Sequence, residues 1–176
     1  VRNGRSFYCN TGTAVATVTA IPTTACGLAI YNNEPDGGRS YIIHRVGALF
    51  TVNTPLTLVH AGIIGNLGQV REAIPAAAAV TIKQANGMGK NDSRARFIVG
   101  GTALPAGTGL AANWFPLGGT ASGAVVTLPG FQQMVDVEGR IIVPPGRYFA
   151  LHTLGSVTTT SAQLFMSWTE KMLTLG

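Results

Sequence analysis

The chain has 176 residues, which is enough for one domain with its own core. Charged residues make up only 11% of it and hydrophobic residues 46%, a balance that excludes an intrinsically disordered chain. The formal net charge is +5, but the basic residues are scattered and do not alternate with aromatic residues, so specific binding of nucleic acid is not predicted.

The first half of the chain is dominated by patterns typical of β-strands. Residues 1–12 are expected to form an extended N-terminal arm, and residues 13–20 then alternate with the period of two that marks a half-buried strand. Further strands are predicted from β-branched and aromatic residues at 26–31, 39–48 and 51–62. In 73–79 four alanines favour a helix, but Pro75 and the following Val-Thr-Ile leave a single turn or a loop equally open.

The second half begins with weaker signals and ends with the strongest ones. Short strands are predicted at 80–84 and 94–99. The segment 100–123 is rich in Gly, Ala and Thr yet contains Trp114 and Phe115, which predicts a long packed loop. Extended segments follow at 124–128 and 131–137.

Residues 137–169 read as three extended segments separated by Pro144-Pro145-Gly146 and Gly155-Ser156, with the first two segments, 137–143 and 147–154, forming a hairpin. Proline cannot donate a ladder hydrogen bond, so the two prolines are expected in the connection, and Gly146 is expected at positive φ. Short strands with Gly and Pro turns throughout predict an all-β fold. We expect residues 1–176 to form one β-sandwich with at least seven strands, with the jelly roll as the preferred topology.

No motif for catalysis or metal binding stands out. His44, His60 and His152 lack the spacings of ligands on one strand or helix, although ligands from several strands could still converge. Asp136 and Glu138 could form a glycosidase pair, but with Arg140 nearby an ion pair between strands is favoured. The chain is therefore predicted not to be an enzyme and to have no cofactor, metal or small-molecule substrate. No apolar stretch approaches the roughly twenty residues of a membrane-spanning helix, so no membrane partner is expected.

Two segments carry a resemblance to viral proteins. Residues 27–43, GLAIYNNEPDGGRSYII, resemble a pattern in small virion proteins of tailed bacteriophages, in which an apolar strand leads through a Gly-rich turn into the next strand. Residues 139–151, GRIIVPPGRYFAL, resemble the late strand pair of viral and other jelly rolls. The resemblance implies a capsid decoration or minor head protein in the virion, most often a homotrimer, that binds a major capsid protein. It transfers no functional residue.

The low charge of the chain also indicates self-association, because a surface poor in charge is well suited to burial between subunits. The candidate interface consists of Arg94, Arg96, Trp114, Phe115 and Arg147. The alternative function is a carbohydrate- or receptor-binding module, in which exposed Trp114 and Tyr148 would stack on sugar rings.

Overall fold

The computed structural model describes residues 5–52, 58–68, 82–85, 93–100, 113–124, 131–158 and 160–173. These residues contain eleven β-strands and no helix, so they include no helix that could span a membrane. The strands are β1 (Ser6–Asn10), β2 (Val15–Ala16), β3 (Leu28–Tyr31), β4 (Arg39–Val52), β5 (Leu58–Leu67), β6 (Lys83–Gln84), β7 (Arg96–Val99), β8 (Trp114–Ala124), β9 (Phe131–Val143), β10 (Tyr148–Gly155) and β11 (Ser161–Met172). The all-β prediction is confirmed.

The strands form two antiparallel sheets that pack face to face as a β-sandwich. The first sheet has the order β6-β1-β11-β4-β9, with β2 paired to β11, and the second has the order β7-β3-β10-β5-β8. The longest ladder joins β11 to β4 in the middle of the first sheet. The prediction of a β-sandwich is therefore confirmed as well.

The core lies between the sheets and is centred on Trp168 of β11. Its side chain is fully buried, stacks on Phe7 at a centroid distance of 5.6 Å, and meets Phe97 of the opposite sheet at 5.7 Å. Buried and half-buried residues alternate along β11 because every second side chain points into this core. Burial of one large apolar side chain contributes roughly 2–3 kcal/mol, so this row of inward side chains holds the two sheets together.

The Pro-Pro-Gly connection joins the two sheets rather than the two strands of a hairpin, so the predicted hairpin is wrong. β9 pairs with β4 in the first sheet, whereas β10 pairs with β3 and β5 in the second. Asn32 fixes this corner by donating from its side chain to the Val143 carbonyl (2.8 Å) and by accepting, at its own carbonyl, the Gly146 N–H (2.9 Å). Gly146 has a φ of 74°, which confirms the expected positive value.

Two other predictions of irregular structure are corrected by strand pairing. Residues 114–124 form β8, paired with β5, so the loop predicted for 100–123 is wrong there, while 101–112 lie outside the described residues. The glycines that suggested a loop are accommodated by register shifts and by a positive φ at Gly118. Residues 6–10 are not an arm but form β1, between β6 and β11. The alanine segment 73–79 lies outside the described residues.

A wide bulge interrupts β9 where a continuous strand was expected. Asp136 pairs with Arg45 and Ile141 pairs with Ile43, so four residues, 137–140, stand opposite His44 alone. Glu138 and Gly139 both have positive φ, 50° and 75°, which are the signs found in a type I′ turn. Asp136 and Glu138 therefore do not share a strand face as a catalytic carboxylate pair would.

Candidate functional site

The predicted interface residues do not form one patch. Arg94 and Arg96 are exposed at the β7 edge of the second sheet, and Arg147 is half-buried in the corner before β10. Trp114 and Phe115 begin β8, which is the opposite edge of the same sheet. Trp114 is half-buried and donates its indole N–H to the Pro22 carbonyl at 2.8 Å, and Phe115 packs against the main core.

The aromatic side chains proposed to stack on sugar are largely unavailable for it. Tyr148 is fully buried and donates its hydroxyl to the side-chain oxygen of Asn66 at 3.2 Å. The expectation of an exposed Tyr148 is wrong because β10 is buried on both faces, with an apolar cluster on its outer side. Trp114 packs against that cluster and presents only part of its ring.

Carboxylates on the described surface are paired within the chain. Asp136 receives a hydrogen bond from Arg45 at 3.1 Å, and Glu138 receives one from Arg140 at 2.8 Å. Glu34 is buried and pairs with Arg39 at 3.3 Å. These pairs leave few carboxylates in the described regions with which the candidate interface arginines of another copy could pair.

One buried carboxyl group lies at the end of β11. The Glu170 side chain is fully buried, and its Oε1 accepts a hydrogen bond from the Ser93 hydroxyl at 2.6 Å, while Oε2 lies 3.5 Å from an Arg5 guanidinium nitrogen. Burial raises the pKa of this carboxyl above its usual range. A raised carboxyl pKa can serve a general acid. Here, however, Ser93 and Arg5 hold the segment ahead of β7 and the start of β1 against the end of β11. The Glu170 side chain therefore joins separate segments of the chain.

The histidines stand apart from one another. His44 of β4 bonds the Thr169 hydroxyl through Nε2 at 2.8 Å, His60 of β5 is exposed, and His152 of β10 is buried. Burial lowers the pKa of His152, so its neutral form is favoured. The described residues contain no group of three side chains suited to hold a metal ion.

One concave surface formed by the described residues is a groove of about 420 Å³ on the outer face of the first sheet. The groove crosses β1, β11, β4 and β9, and we call it the outer groove. Its lining residues are Tyr8, Cys9, Asn10, Arg45, Leu49, Gln132, Met134, Gln163, Phe165, Met166 and Ser167.

Cross-strand pairing explains why these residues meet. Tyr8 stands opposite Ser167, which in turn stands opposite Arg45, so the three form one row across the sheet. In the next row Phe165 stands opposite Gly47, and Gly47 opposite Met134. A Cβ at Gly47 would overlap the Phe165 ring and would lie 2.7 Å from the Gln133 carbonyl oxygen. The missing side chain at Gly47 thus lets the Phe165 ring lie down on the sheet and form part of the groove.

Several polar groups of the outer groove are held in place by short-range bonds. The Asn10 side-chain oxygen accepts the Gly12 N–H at 3.0 Å, and the Gln163 side-chain nitrogen donates to the Gly12 carbonyl at 3.2 Å. Each carboxamide keeps its other polar atom for further bonds. Gln132 is exposed on β9. The outer groove therefore combines oriented carboxamides with apolar side chains.

Sequence reasoning missed the outer groove because its residues occupy the outward positions of four strands that are distant in the chain. One signal was present: the alternation along 161–169 places Phe165 among Gln163 and Ser167 on the polar face, where an apolar ring has no reason to lie unless something contacts it.

Comparisons of the chain with protein-family models, with curated proteins and with solved structures gave no match. The resemblance to phage virion proteins stays a prediction from the two sequence segments that carry it.

Proposed function

We propose that this chain is a structural protein of a virion that associates with copies of itself and binds a shell of major capsid protein. The observation that carries the proposal is the order of eight of the eleven described strands in the two sheets. Without β2, β6 and β7, the first sheet reads β1-β11-β4-β9 and the second reads β3-β10-β5-β8. Renumbered from one to eight, the orders are 1-8-3-6 and 2-7-4-5, which supports a jelly roll, an architecture used by viral capsid domains.

The surface supports self-association. Only 11% of the residues are charged, and two large hydrophobic side chains of the described regions, Ile21 and Met172, are exposed outside the outer groove. Burial of such side chains between subunits removes apolar area from water. We propose a homotrimer with interfaces above roughly 1,000 Å², the area that separates specific interfaces from casual contacts.

The candidate interface arginines are better suited to binding the major capsid protein than to binding another copy of this chain. Four of the described carboxylates, Glu34, Asp136, Glu138 and Glu170, are already paired within the chain. Among the described residues, the candidate interface residues Arg94, Arg96 and Arg147 therefore find few carboxylate partners on another copy. Carboxylates of a major capsid protein would supply them, since guanidinium groups bind carboxylates in a bidentate manner.

Light scattering coupled to size-exclusion chromatography at micromolar concentration tests self-association. A mass three times that of one chain is expected, and a single-chain mass at all concentrations would contradict it. Electron microscopy of particles isolated with the tagged protein from its native source tests shell binding. An Arg96→Glu variant should no longer associate with those particles. Arg140→Glu, at an exposed site on β9, which lies beside β8 at the opposite edge of the sandwich from β7, should remain on them.

The second candidate function is a carbohydrate-binding module. The burial of Tyr148 removes the stacking surface first expected for it, but the outer groove provides another.

A further inference from the structure

We propose that the outer groove binds a short, neutral oligosaccharide. A saccharide ring has an apolar face of C–H groups and an edge of hydroxyl groups. A site for it therefore needs aromatic surface and planar polar groups side by side. The proposal does not depend on the self-association argued above.

The apolar part of this requirement is met by the aromatic residues of β1 and β11. Tyr8 is 44% exposed, and Phe165 lies over Gly47 in the adjoining row. Met134 of β9, 46% exposed, extends the apolar surface on the other side of Gly47. A sugar ring placed over this row would meet apolar atoms from three strands.

The polar part is met by three carboxamides and one guanidinium group. Asn10 retains its side-chain nitrogen as a donor and Gln163 retains its side-chain oxygen as an acceptor, because the Gly12 backbone occupies the other atom of each. Gln132 lies in the same row as Gln163, with Leu49 between them. Donors and acceptors on both sides of an apolar strip match a chain of rings with hydroxyl groups along its two edges.

The charge of the outer groove indicates a neutral ligand. Arg45 is the one charged residue among its lining residues, and Asp136 accepts a hydrogen bond from it at 3.1 Å. The pairing lowers the pKa of Asp136, so the carboxylate stays ionised and offsets the guanidinium charge. An acidic saccharide or a phosphate would have to compete with Asp136 for Arg45.

A second copy of the chain is the other occupant to consider. A flat apolar sheet packed on this face would leave the free atoms of Asn10, Gln132 and Gln163 without partners, and each unsatisfied group costs about 1–3 kcal/mol. The volume of about 420 Å³ instead falls in the range of roughly 300–1,000 Å³ typical of small-ligand sites. The lining is also carried by paired strands, so little order has to be gained on binding.

The experiment uses the full chain and a panel of linear hexasaccharides: α-1,4- and β-1,4-linked glucose, β-1,4-linked N-acetylglucosamine and β-1,4-linked galactose, with hexagalacturonate as the acidic probe. Binding is measured by isothermal titration calorimetry and by chemical-shift changes. We expect at least one neutral probe to bind and the acidic probe to bind more weakly.

Variants locate the binding. Tyr8→Ala and Gln132→Ala should each weaken binding of the neutral probe about tenfold, the effect of losing one stacking or hydrogen-bonding contact. The matched control is Met172→Ala, which removes an exposed hydrophobic side chain, 67% exposed, outside the outer groove. Thermal unfolding should show that all three variants remain folded.

Three results would overturn the proposal. One is the failure of every neutral probe to bind at millimolar concentration, and another is binding that survives both groove substitutions. The third is a change of oligomeric mass in Tyr8→Ala that is absent in Met172→Ala, since this would assign the outer groove to contact between copies of the chain.

Discussion

The outer faces of the two sheets are built from the same kind of ladder but are covered differently. On the first sheet, the outward residues of β11 are half-buried and alternate with fully buried inward residues. On the second sheet, β10 is buried on both faces from Tyr148 to Thr153. A strand with one covered face alternates in sequence, whereas a strand covered on both faces is apolar throughout. Among the described residues, the outer face of the first sheet is therefore the more exposed of the two outer faces.

The largest expected effect on stability comes from introducing an aspartate on the outer face of each sheet in turn, because the two faces should tolerate it very differently. Ala150→Asp would put a carboxylate among fully buried neighbours and should cost more than about 4 kcal/mol, enough to prevent folding in many domains. Ser167→Asp lies on the outward side of the first sheet, opposite Arg45, and should change stability by less than about 0.5 kcal/mol. Urea unfolding measures both. Equal losses would show that the first face is covered too.

The second-largest effect on stability is expected from a substitution at Gly47, which lies on the outer face of the first sheet. Gly47→Ala would push against the Phe165 ring and the Gln133 backbone, and such overpacking typically costs about 1–3 kcal/mol. Ser167→Ala, in the neighbouring row, is the control and should be nearly neutral. Stability is measured by thermal unfolding. A Gly47→Ala variant as stable as the wild type would show that Phe165 does not rest on the sheet.

These two faces also show how much the sequence could predict. The strands over 137–143 and 147–154 and the positive φ of Gly146 could be predicted, because they depend on local residue types and turn residues. The partner of each strand depends on residues far along the chain. Periodicity therefore could not reveal that β9 and β10 belong to different sheets, or that 114–124 would find a partner in β5.

The outer groove was beyond sequence reasoning for the same reason. Its rows join β1 to β11 and β4 to β9, and no local pattern reveals that Tyr8, Phe165 and Met134 come together. The candidate interface arginines were predicted one residue at a time, and each lies at an exposed or half-buried position. The burial of Glu170 could not be predicted, because it depends on Arg5 and Ser93, which are distant from it in the chain.

The corner between the sheets gives a smaller effect. Gly146 has a φ of 74° and donates its N–H to the Asn32 carbonyl, so Gly146→Val should cost about 1 kcal/mol or more because a β-branched residue resists this conformation. Gly146→Asn should cost less, since asparagine tolerates positive φ. Melting temperatures of the two variants provide the measurement. Equal melting temperatures for both variants and the wild type would mean that the corner adapts freely.

The smallest expected effect is on the pH dependence of stability. It should differ between Glu170, an inward carboxyl of the first sheet, and Asp136, an outward one. The pKa of Glu170 is raised, chiefly by burial, so the folded state holds its proton more tightly than the unfolded state does, and stability falls as pH rises between the unfolded and folded pKa values. The pKa of Asp136 is lowered, chiefly by its hydrogen bond from Arg45, so its contribution is present above the unfolded pKa and is lost as pH falls through the folded pKa. Urea unfolding measured as a function of pH follows both trends. Relative to the wild type, Glu170→Gln should remove the loss of stability with rising pH. Asp136→Asn is the matched control on the exposed face. It should remove the weaker, opposite trend, which is the loss of stability with falling pH. The same pH profile in wild type and Glu170→Gln would show that the buried position of this carboxyl does not distinguish the two faces.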